Sequence, residues 1–186
     1  MRAALTDATV AEDLTDSYSF IQPGSGSLPA SVRRLPIIVP DGTRYLRVAL
    51  FNEARNGNAD LDLYLYACPG FGECIEEATP SQNADSEEVI NLIPAEGQSF
   101  VTPGEYYVDV HGFDTDGGSA TFNLLVWTVG ADRANATLTA PGSLGTGGPA
   151  SVGLSWQGLS LGLHLGLISH SDGDITFGQT VIEVTP

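Results

Sequence analysis

The chain has 186 residues, a formal net charge of −16 and an isoelectric point near 4.1. This charge excludes electrostatic attraction to nucleic-acid phosphates or to an anionic membrane surface, and it favours cationic partners and metal ions. No apolar run is long enough to cross a bilayer, and residues 1–7 lack the apolar stretch of a signal peptide.

The first part of the chain predicts a short linker or domain remnant followed by strands. Residues 1–14 have weak helical character and read as a linker or the remnant of a preceding domain, whereas residues 16–20 alternate as a strand does. Residues 35–40 are apolar but framed by prolines, which places them at a sheet edge or beside a bulge. Residues 45–51 alternate again, and their predicted buried set is Leu46, Val48 and Leu50.

Residues 60–66, with the sequence Asp-Leu-Asp-Leu-Tyr-Leu-Tyr, carry the clearest strand pattern of the chain. A period of two places Leu61, Leu63 and Leu65 on one face and the acids and tyrosines on the other. Such a strand has one face in the core and one face in water. We therefore expect the face with Asp60, Asp62, Tyr64 and Tyr66 to be exposed to solvent.

Residues 104–112 form the second informative strand, with the sequence Gly-Glu-Tyr-Tyr-Val-Asp-Val-His-Gly. The pattern places Tyr106, Val108 and Val110 together, opposite a second set. That second set is Tyr107, Asp109 and His111.

Further strands are predicted at residues 87–93 and 120–127. Together the segments suffice for an all-β, jelly-roll-like antiparallel β-sandwich. Turn residues and charges at 130–133 predict a boundary, and a smaller β-sandwich-like module follows. Its four predicted strands form one small sheet and span residues 135–139, 151–156, 163–168 and 180–184.

The Asp-Leu-Asp-Leu-Tyr strand, followed by a Gly-x-Tyr-Tyr-Val-x-Val strand, resembles the bacterial pre-peptidase C-terminal (PPC) domain. The resemblance covers residues 15–130. Residues 131–186 resemble the small fibronectin-like or immunoglobulin-like module that ends many secreted subtilisin-family serine proteases. The resemblance implies an extracellular location, a parent protease domain as partner, and export directed by a signal elsewhere in a longer precursor.

Cys68 and Cys74 bracket a short loop that contains one proline and two glycines. Such a loop can bring two Cβ atoms within bridging distance, and the secreted context favours oxidation. Two cysteines without a nearby histidine cannot complete a tetrahedral zinc site. The sequence therefore predicts a disulfide.

A search for protease machinery finds no matching constellation in the sequence. Ser119 lies in a Gly-Gly-Ser-Ala string without the threonine and helix start that subtilisin-like catalysis needs, and the histidines His111, His164 and His170 lack the expected context. Asp60 and Asp62 share a face, but a wet face cannot separate the pKa values of a glycosidase pair. We expect no catalytic residue in this chain.

Calcium is the metal that the acidic turns favour, because it prefers hard oxygen ligands from flexible loops. Residues 56–60 and 113–118 offer such ligands, led by Asp60, Asp114 and Asp116. The alternative is that these acids are solvated or cap the turns, and the sequence leaves both open.

The predicted binding face carries Tyr64, Tyr66 and Tyr107 beside Asp109 and His111. Tyrosines provide a large contact area while their polar tips stay wet, which suits an extended peptide or an insoluble protein fibre. An equally weighted alternative is that the tyrosines pack under a loop or against the second module.

The sequence thus predicts a non-catalytic accessory region of a secreted subtilisin-like protease, acting in substrate binding, stabilisation or maturation of the parent enzyme. The alternative is a free-standing extracellular module that binds carbohydrate or cell-surface material, because a β-sandwich does not by itself choose a function.

Overall fold

The computed structural model describes residues 4–13, 18–51, 59–70, 73–76, 80–130, 135–141, 148–171 and 176–186. The chain forms two compact units, Met1–Gly130 and Ala131–Pro186. All regular structure in the described residues is β-strand, and every strand pair is antiparallel. The predicted all-β class is confirmed.

The first unit contains eight strands among its described residues. They are β1 (Ala4–Ala11), β2 (Val32–Val39), β3 (Tyr45–Leu50), β4 (Asp60–Gly70), β5 (Glu73–Glu76), β6 (Glu88–Leu92), β7 (Gly104–Asp114) and β8 (Ser119–Val129). One sheet has the order β1-β8-β3-β6 and the other has the order β2-β7-β4-β5. Strand 1 pairs with 8, 2 with 7, 3 with 6 and 4 with 5, which is the nested pairing of a jelly roll. The predicted jelly-roll sandwich is confirmed.

The core lies between these two sheets and is built from the alternating apolar residues of their facing sides. Leu61, Leu63 and Leu65 of β4 are all buried, as the period of two predicted. They belong to one apolar cluster with the inward residues of the other sheet, among them Leu46 and Val48. Burial of these aliphatic side chains is the main favourable contribution to folding of this unit.

β2 is the outer strand of its sheet, as the flanking prolines predicted. Its Pro36 lies opposite Tyr107 of β7, and a proline can occupy this place because the outer edge of β2 lacks a ladder partner within the sheet.

Two predictions for the start of the chain are wrong. Residues 4–11 form β1 and not a weakly helical linker, and they pair residue by residue with β8, from Ala4 opposite Val126 to Ala11 opposite Ser119. The backbone ladder with β8 outweighs the helical propensity of alanine. Residues 18–20 have no strand structure, and residues 16–17 of that predicted strand lie outside the described residues.

Gly112 marks a close approach between β7 and the end of β1. A Cβ at this position would lie 2.2 Å from the backbone oxygen of Ala11, so no larger residue fits without a shift of the backbone. The amide of Asp13 donates to the carbonyl of Gly112, and the amide of Gly112 donates to Ser31. The glycine therefore fixes the place where the chain leaves the first sheet and enters the connection to β2.

The second unit contains β9 (Ala136–Thr139), β10 (Gly153–Trp156), β11 (His164–Ser171) and β12 (Thr176–Val184). These strands form two separate two-stranded sheets, β10-β9 and β11-β12, and not the one small sheet that was predicted. The strand positions agree with the sequence pattern, but alternation does not determine which strands pair.

Leu63→Ala tests the assignment of the β4 leucines to the core. Leu63 is fully buried, so its truncation leaves a cavity and lowers the free energy of unfolding by about 2–5 kcal/mol. The matched control is Ile38→Ala on β2, where the side chain is 66% exposed and the expected loss is below about 0.5 kcal/mol. Urea denaturation measures both values, and equal losses in the two variants would contradict the assignment.

Candidate functional site

The β4–β7 ladder brings the five predicted binding residues together. Asp62 lies opposite His111, Tyr64 opposite Asp109, and Tyr66 opposite Tyr107. Directly opposed residues in an antiparallel pair point to the same side of a sheet. These residues therefore share the outer face of the β2-β7-β4-β5 sheet, and we call this surface the tyrosine face.

The tyrosine face is not open to water, contrary to the expectation for a half-buried strand. Tyr64 is 7% exposed and Tyr66 3%, while Asp109 and His111 are fully buried. Only Tyr107 of the predicted set is partly exposed. The structure has the second arrangement that the sequence allowed, in which the tyrosines pack under a loop.

The loop that covers the tyrosine face consists of residues 18–22, which we call the covering segment. The ring of Tyr18 stacks on Tyr64 with 3.7 Å between ring centroids, and the ring of Phe20 stacks on Tyr66 at 4.0 Å. Ser19 between them is exposed. The segment is thus extended, with alternate side chains directed at the sheet.

The covering segment continues to the disulfide hairpin. The side-chain amide of Gln22 donates to the carbonyl of Cys74 at 2.8 Å and accepts from the amide of Cys74 at 2.9 Å. Side chains 18, 20 and 22 therefore all contact the sheet. Tyr18 and Phe20 pack against Tyr64, Tyr66 and the disulfide in a second apolar cluster, separate from the core between the sheets.

A buried ion pair lies under the covering segment. Nε of Arg34 donates to Oδ1 of Asp109 at 2.7 Å, and Nη2 donates to Oδ2 at 2.6 Å. The side chain of Arg34 is 9% exposed. This bidentate geometry is the strong form of a carboxylate pair. Burial lowers the pKa of Arg34, but the hydrogen bonds and charge of Asp109 outweigh burial and raise it.

The ion pair also holds the covering segment in place. Nη1 of Arg34 donates to the carbonyl of Ile21 at 2.7 Å, and the guanidinium carbon lies 5.2 Å from the ring centroid of Phe20. The same carbon lies 5.6 Å from the ring centroid of Tyr107. One arginine therefore contacts the backbone and the aromatic ring of the segment while it neutralises Asp109.

Tyr18 connects the covering segment to the same carboxylate. Its hydroxyl donates to Oδ2 of Asp109 at 2.9 Å and lies 2.7 Å from the hydroxyl of Tyr66. Because the one proton of Tyr18 goes to Asp109, Tyr66 is the donor in the second bond. Burial, the charge of Asp109 and the bond to Tyr66 raise the pKa of Tyr18 far above its usual range, so the phenol remains a donor.

His111 lies at the end of the buried polar row. Its Nδ1 is 3.3 Å from Oδ2 of Asp62, and its Nε2 is 3.8 Å from Oδ2 of Asp13. The ring centroid of Tyr18 lies 5.7 Å from that of His111. The imidazole therefore lies between two carboxylates, one on β4 and one in the connection that follows β1.

The free energy of closing the covering segment is near balance. Two ring stacks contribute about 2 kcal/mol and partial burial of the two rings about 3 kcal/mol. The hydrogen bonds that reach the segment add about 4 kcal/mol. Ordering residues 18–22 costs about 5–10 kcal/mol. Among the described residues, no backbone–backbone hydrogen bond joins this segment to the sheet, and each hydrogen bond reported above between them involves at least one side chain.

Cys68 and Cys74 form a disulfide, which confirms the prediction. Their Cα atoms are 4.0 Å apart at the β4–β5 hairpin, and both residues are buried. A loop this short contributes about 2 kcal/mol through the unfolded state. The bridge also fixes the backbone of Cys74 that Gln22 binds.

The predicted calcium ligands are only partly brought together. Asp60 lies opposite Asp114 in the β4–β7 ladder. Asp114 accepts from the amide of Asp116, which is the turn-capping role that the alternative allowed. Residues 56–58 lie outside the described residues. In the part of the chain that the structure describes, no group of three or more acids, histidines or cysteines has the geometry to hold a metal ion.

The side chain of Glu12 accepts hydrogen bonds from the turn between β7 and β8. Its Oε2 accepts from the amides of Thr115 at 3.0 Å and Gly117 at 2.8 Å. These backbone hydrogen bonds lower the pKa of Glu12. The amide groups of this turn thus face a carboxylate.

Each residue considered for catalysis has its own local contacts. Ser119 begins β8 opposite Ala11. His111 contacts Asp62, Nε2 of His164 lies 2.8 Å from the carbonyl of Ser160, and His170 contacts the hydroxyl of Thr180.

Sequence reasoning missed Glu88, which is fully buried at the start of β6. Burial raises the pKa of Glu88, hydrogen bonds from Ser81 and the amide of Asn83 oppose this, and the charges of Asp62 and Asp60 add to the rise. The sequence predicted a strand at this position. The burial of Glu88 depends on the loop between β5 and β6, in which Ser81 forms a β-bridge with Leu63 of β4.

Comparison with known proteins gives no family assignment. No family model matches the chain, and no curated protein matches it in sequence. Within the described residues, no helix has the length and apolar character needed to cross a membrane.

Asp109→Ala tests the central role of the ion pair. Without the carboxylate, the guanidinium of Arg34 and the hydroxyl of Tyr18 lose their acceptor in a buried place, so the free energy of unfolding falls by about 3–5 kcal/mol. The control is the double variant Arg34→Met with Asp109→Leu, which replaces both charges by apolar side chains and loses less than the single variant. A single-variant loss below about 1 kcal/mol by urea denaturation would show that the pair is not structural.

Glu88→Gln tests the pKa of the missed glutamate. Because the fold raises this pKa, the native state binds the proton more tightly, and stability falls as pH rises from the usual glutamate range through the folded pKa. The glutamine variant therefore gains melting temperature relative to wild type as pH increases from about 4 to about 7. Glu87→Gln, on an exposed neighbour, is the matched control. A pH-independent difference for Glu88→Gln would refute the assignment.

Proposed function

We propose that this chain is a non-catalytic accessory region of a secreted subtilisin-like serine protease, with the first unit a PPC domain and the second a small fibronectin-like or immunoglobulin-like module. The observation that carries the proposal is the placement of the two segments that resemble the PPC domain, residues 60–66 and 104–112. They lie side by side as β4 and β7, the two central strands of a jelly-roll sheet.

The contacts of the polar residues on β7 support an accessory and not a catalytic role. Asp109 and His111 are the groups that a reaction could use, yet both are fully buried beneath the covering segment. Asp109 is already occupied by Arg34 and Tyr18. A general base must reach the proton that it abstracts, and these groups do not meet a substrate while residues 18–22 cover them.

Secretion is supported by the disulfide. A bridge between Cys68 and Cys74 persists in an oxidising compartment, whereas thiols of cytosolic proteins are kept reduced. The negative charge favours solubility through self-repulsion between copies.

Among the roles of such a region, the geometry favours stabilisation of the parent enzyme in the closed state described here. The tyrosine face offers little area to a substrate while residues 18–22 cover it. A compact sandwich with two clusters, one between the sheets and one under the covering segment, is a rigid partner for a neighbouring domain.

The second candidate is a free-standing module that binds carbohydrate or cell-surface material. The observation in its favour is the jelly-roll strand order, which lectin domains share. This observation concerns the fold and does not identify a binding residue.

The coding region and the parent enzyme test the proposal. We expect the upstream reading frame to continue into a subtilisin-like domain, and removal of the present chain to shorten the thermal half-life of the parent's activity on a small peptide substrate. An upstream region that holds only a signal peptide would favour the second candidate. The isolated chain is expected to cleave no casein, and cleavage that a serine-directed inhibitor and Ser119→Ala both abolish would overturn the non-catalytic assignment.

A further inference from the structure

The covering segment has the features of a bound peptide. It is extended, it contacts the sheet through alternate side chains, and its carbonyl at Ile21 accepts from Arg34. Tyr18 and Phe20 are two residues apart, as are Tyr64 and Tyr66 beneath them. Residues spaced by two in extended chains lie about 7 Å apart, so the two pairs of rings match in spacing.

We infer that the tyrosine face is a binding site for extended peptides and that residues 18–22 are its intramolecular occupant. The inference rests on the proposed function, since it specifies which protein segments the accessory region would hold for the parent protease. The ligand class is a peptide with an aromatic side chain, any residue, and a second aromatic side chain, followed two residues later by an amide side chain.

Each position of the ligand is recognised by a group already described. At the first position, Asp109 accepts from a phenolic hydroxyl, so tyrosine is preferred over phenylalanine. At the third position, an aromatic ring stacks on Tyr66 beside Arg34. At the fifth position, a glutamine side chain pairs with both backbone groups of Cys74, as Gln22 does.

The way residues 18–22 are held makes exchange with an external peptide possible. Side chains hold the segment, and no backbone–backbone hydrogen bond ties it to the sheet within the described part of the chain. A competing peptide can reproduce every one of these contacts, because all of them come from groups that a peptide carries. The two ring stacks and the hydrogen bond to Asp109 are the contacts that it must gain.

The test measures binding of a labelled peptide to the whole chain by fluorescence anisotropy. The probe has the sequence of residues 16–23, Asp-Ser-Tyr-Ser-Phe-Ile-Gln-Pro, with both ends capped. Phe20→Ala loosens the covering segment and keeps the bonds of Tyr18, so the variant is expected to bind the probe at least about tenfold more tightly than wild type. Ile38→Ala, an exposed change outside the site, is the matched control and behaves as wild type.

Peptide variants test the recognition of each ring. Replacing the probe's tyrosine by phenylalanine weakens binding about tenfold, since the hydroxyl that Asp109 accepts is lost. Replacing both aromatic residues by alanine abolishes binding. If Phe20→Ala does not fold, Phe20→Leu serves in its place, because it keeps an apolar side chain and removes only the ring stack.

Three results would overturn the inference. The first is a folded Phe20 variant that binds the probe no better than Ile38→Ala does. The second is equal binding of a scrambled probe. The third is an oligosaccharide that displaces the probe and binds more tightly than the probe does. This result would show that the aromatic rings of the tyrosine face bind sugars. All measurements use this chain alone. Failure to bind the probe would therefore leave the proposed link to a protease untouched, and binding of the probe would not depend on that link.

Discussion

The buried carboxylate of Asp109 imposes the main constraint on the outer side of this molecule. A fully buried charge is tolerated only when it is paired and hydrogen-bonded, and Asp109 lies on a central strand of its sheet. Its partners therefore have to come to it. Arg34 reaches it from the neighbouring strand and Tyr18 from the segment above, so one charge organises two separate parts of the chain. Tyr18 also stacks its ring on Tyr64, and the nearby Phe20 stacks on Tyr66, which builds the second apolar cluster.

The jelly-roll topology supplies the chain that covers this charge. β1 and β2 belong to different sheets, so the connection between Ala11 and Val32 has to pass from one sheet to the other. The close approach at Gly112 sets where this connection starts. A direct crossing needs only a few residues, and the additional length allows residues 18–22 to cross the tyrosine face before the chain enters β2. The crossing between the two sheets and the pairing of Asp109 thus both favour a connection that passes over the tyrosine face.

Sequence periodicity predicted the two faces of each strand but not what covers them. Leu61, Leu63 and Leu65 were assigned to the core correctly because alternation reports which side chains share a face. It does not report whether the polar face meets water, since that depends on contacts between residues far apart, such as Arg34 and Asp109. β1 was missed because its apolar residues give it no clear period, and its strand form depends on β8. The disulfide was predictable because a short loop is a local property.

Tyrosine explains how one face can serve either as a second core or as a binding surface. Its ring can be buried while its hydroxyl stays hydrogen-bonded, so Tyr66 is satisfied under a protein segment and would also be satisfied under a ligand. Which occupant is present then depends on concentration. A segment in the same chain acts at an effective concentration of about millimolar, so a weakly binding peptide in dilute solution cannot displace it. A protein substrate held by a neighbouring domain reaches a comparable local concentration. If the face binds peptides as proposed, the covering segment would select for ligands that are already tethered, and it covers the tyrosines in their absence.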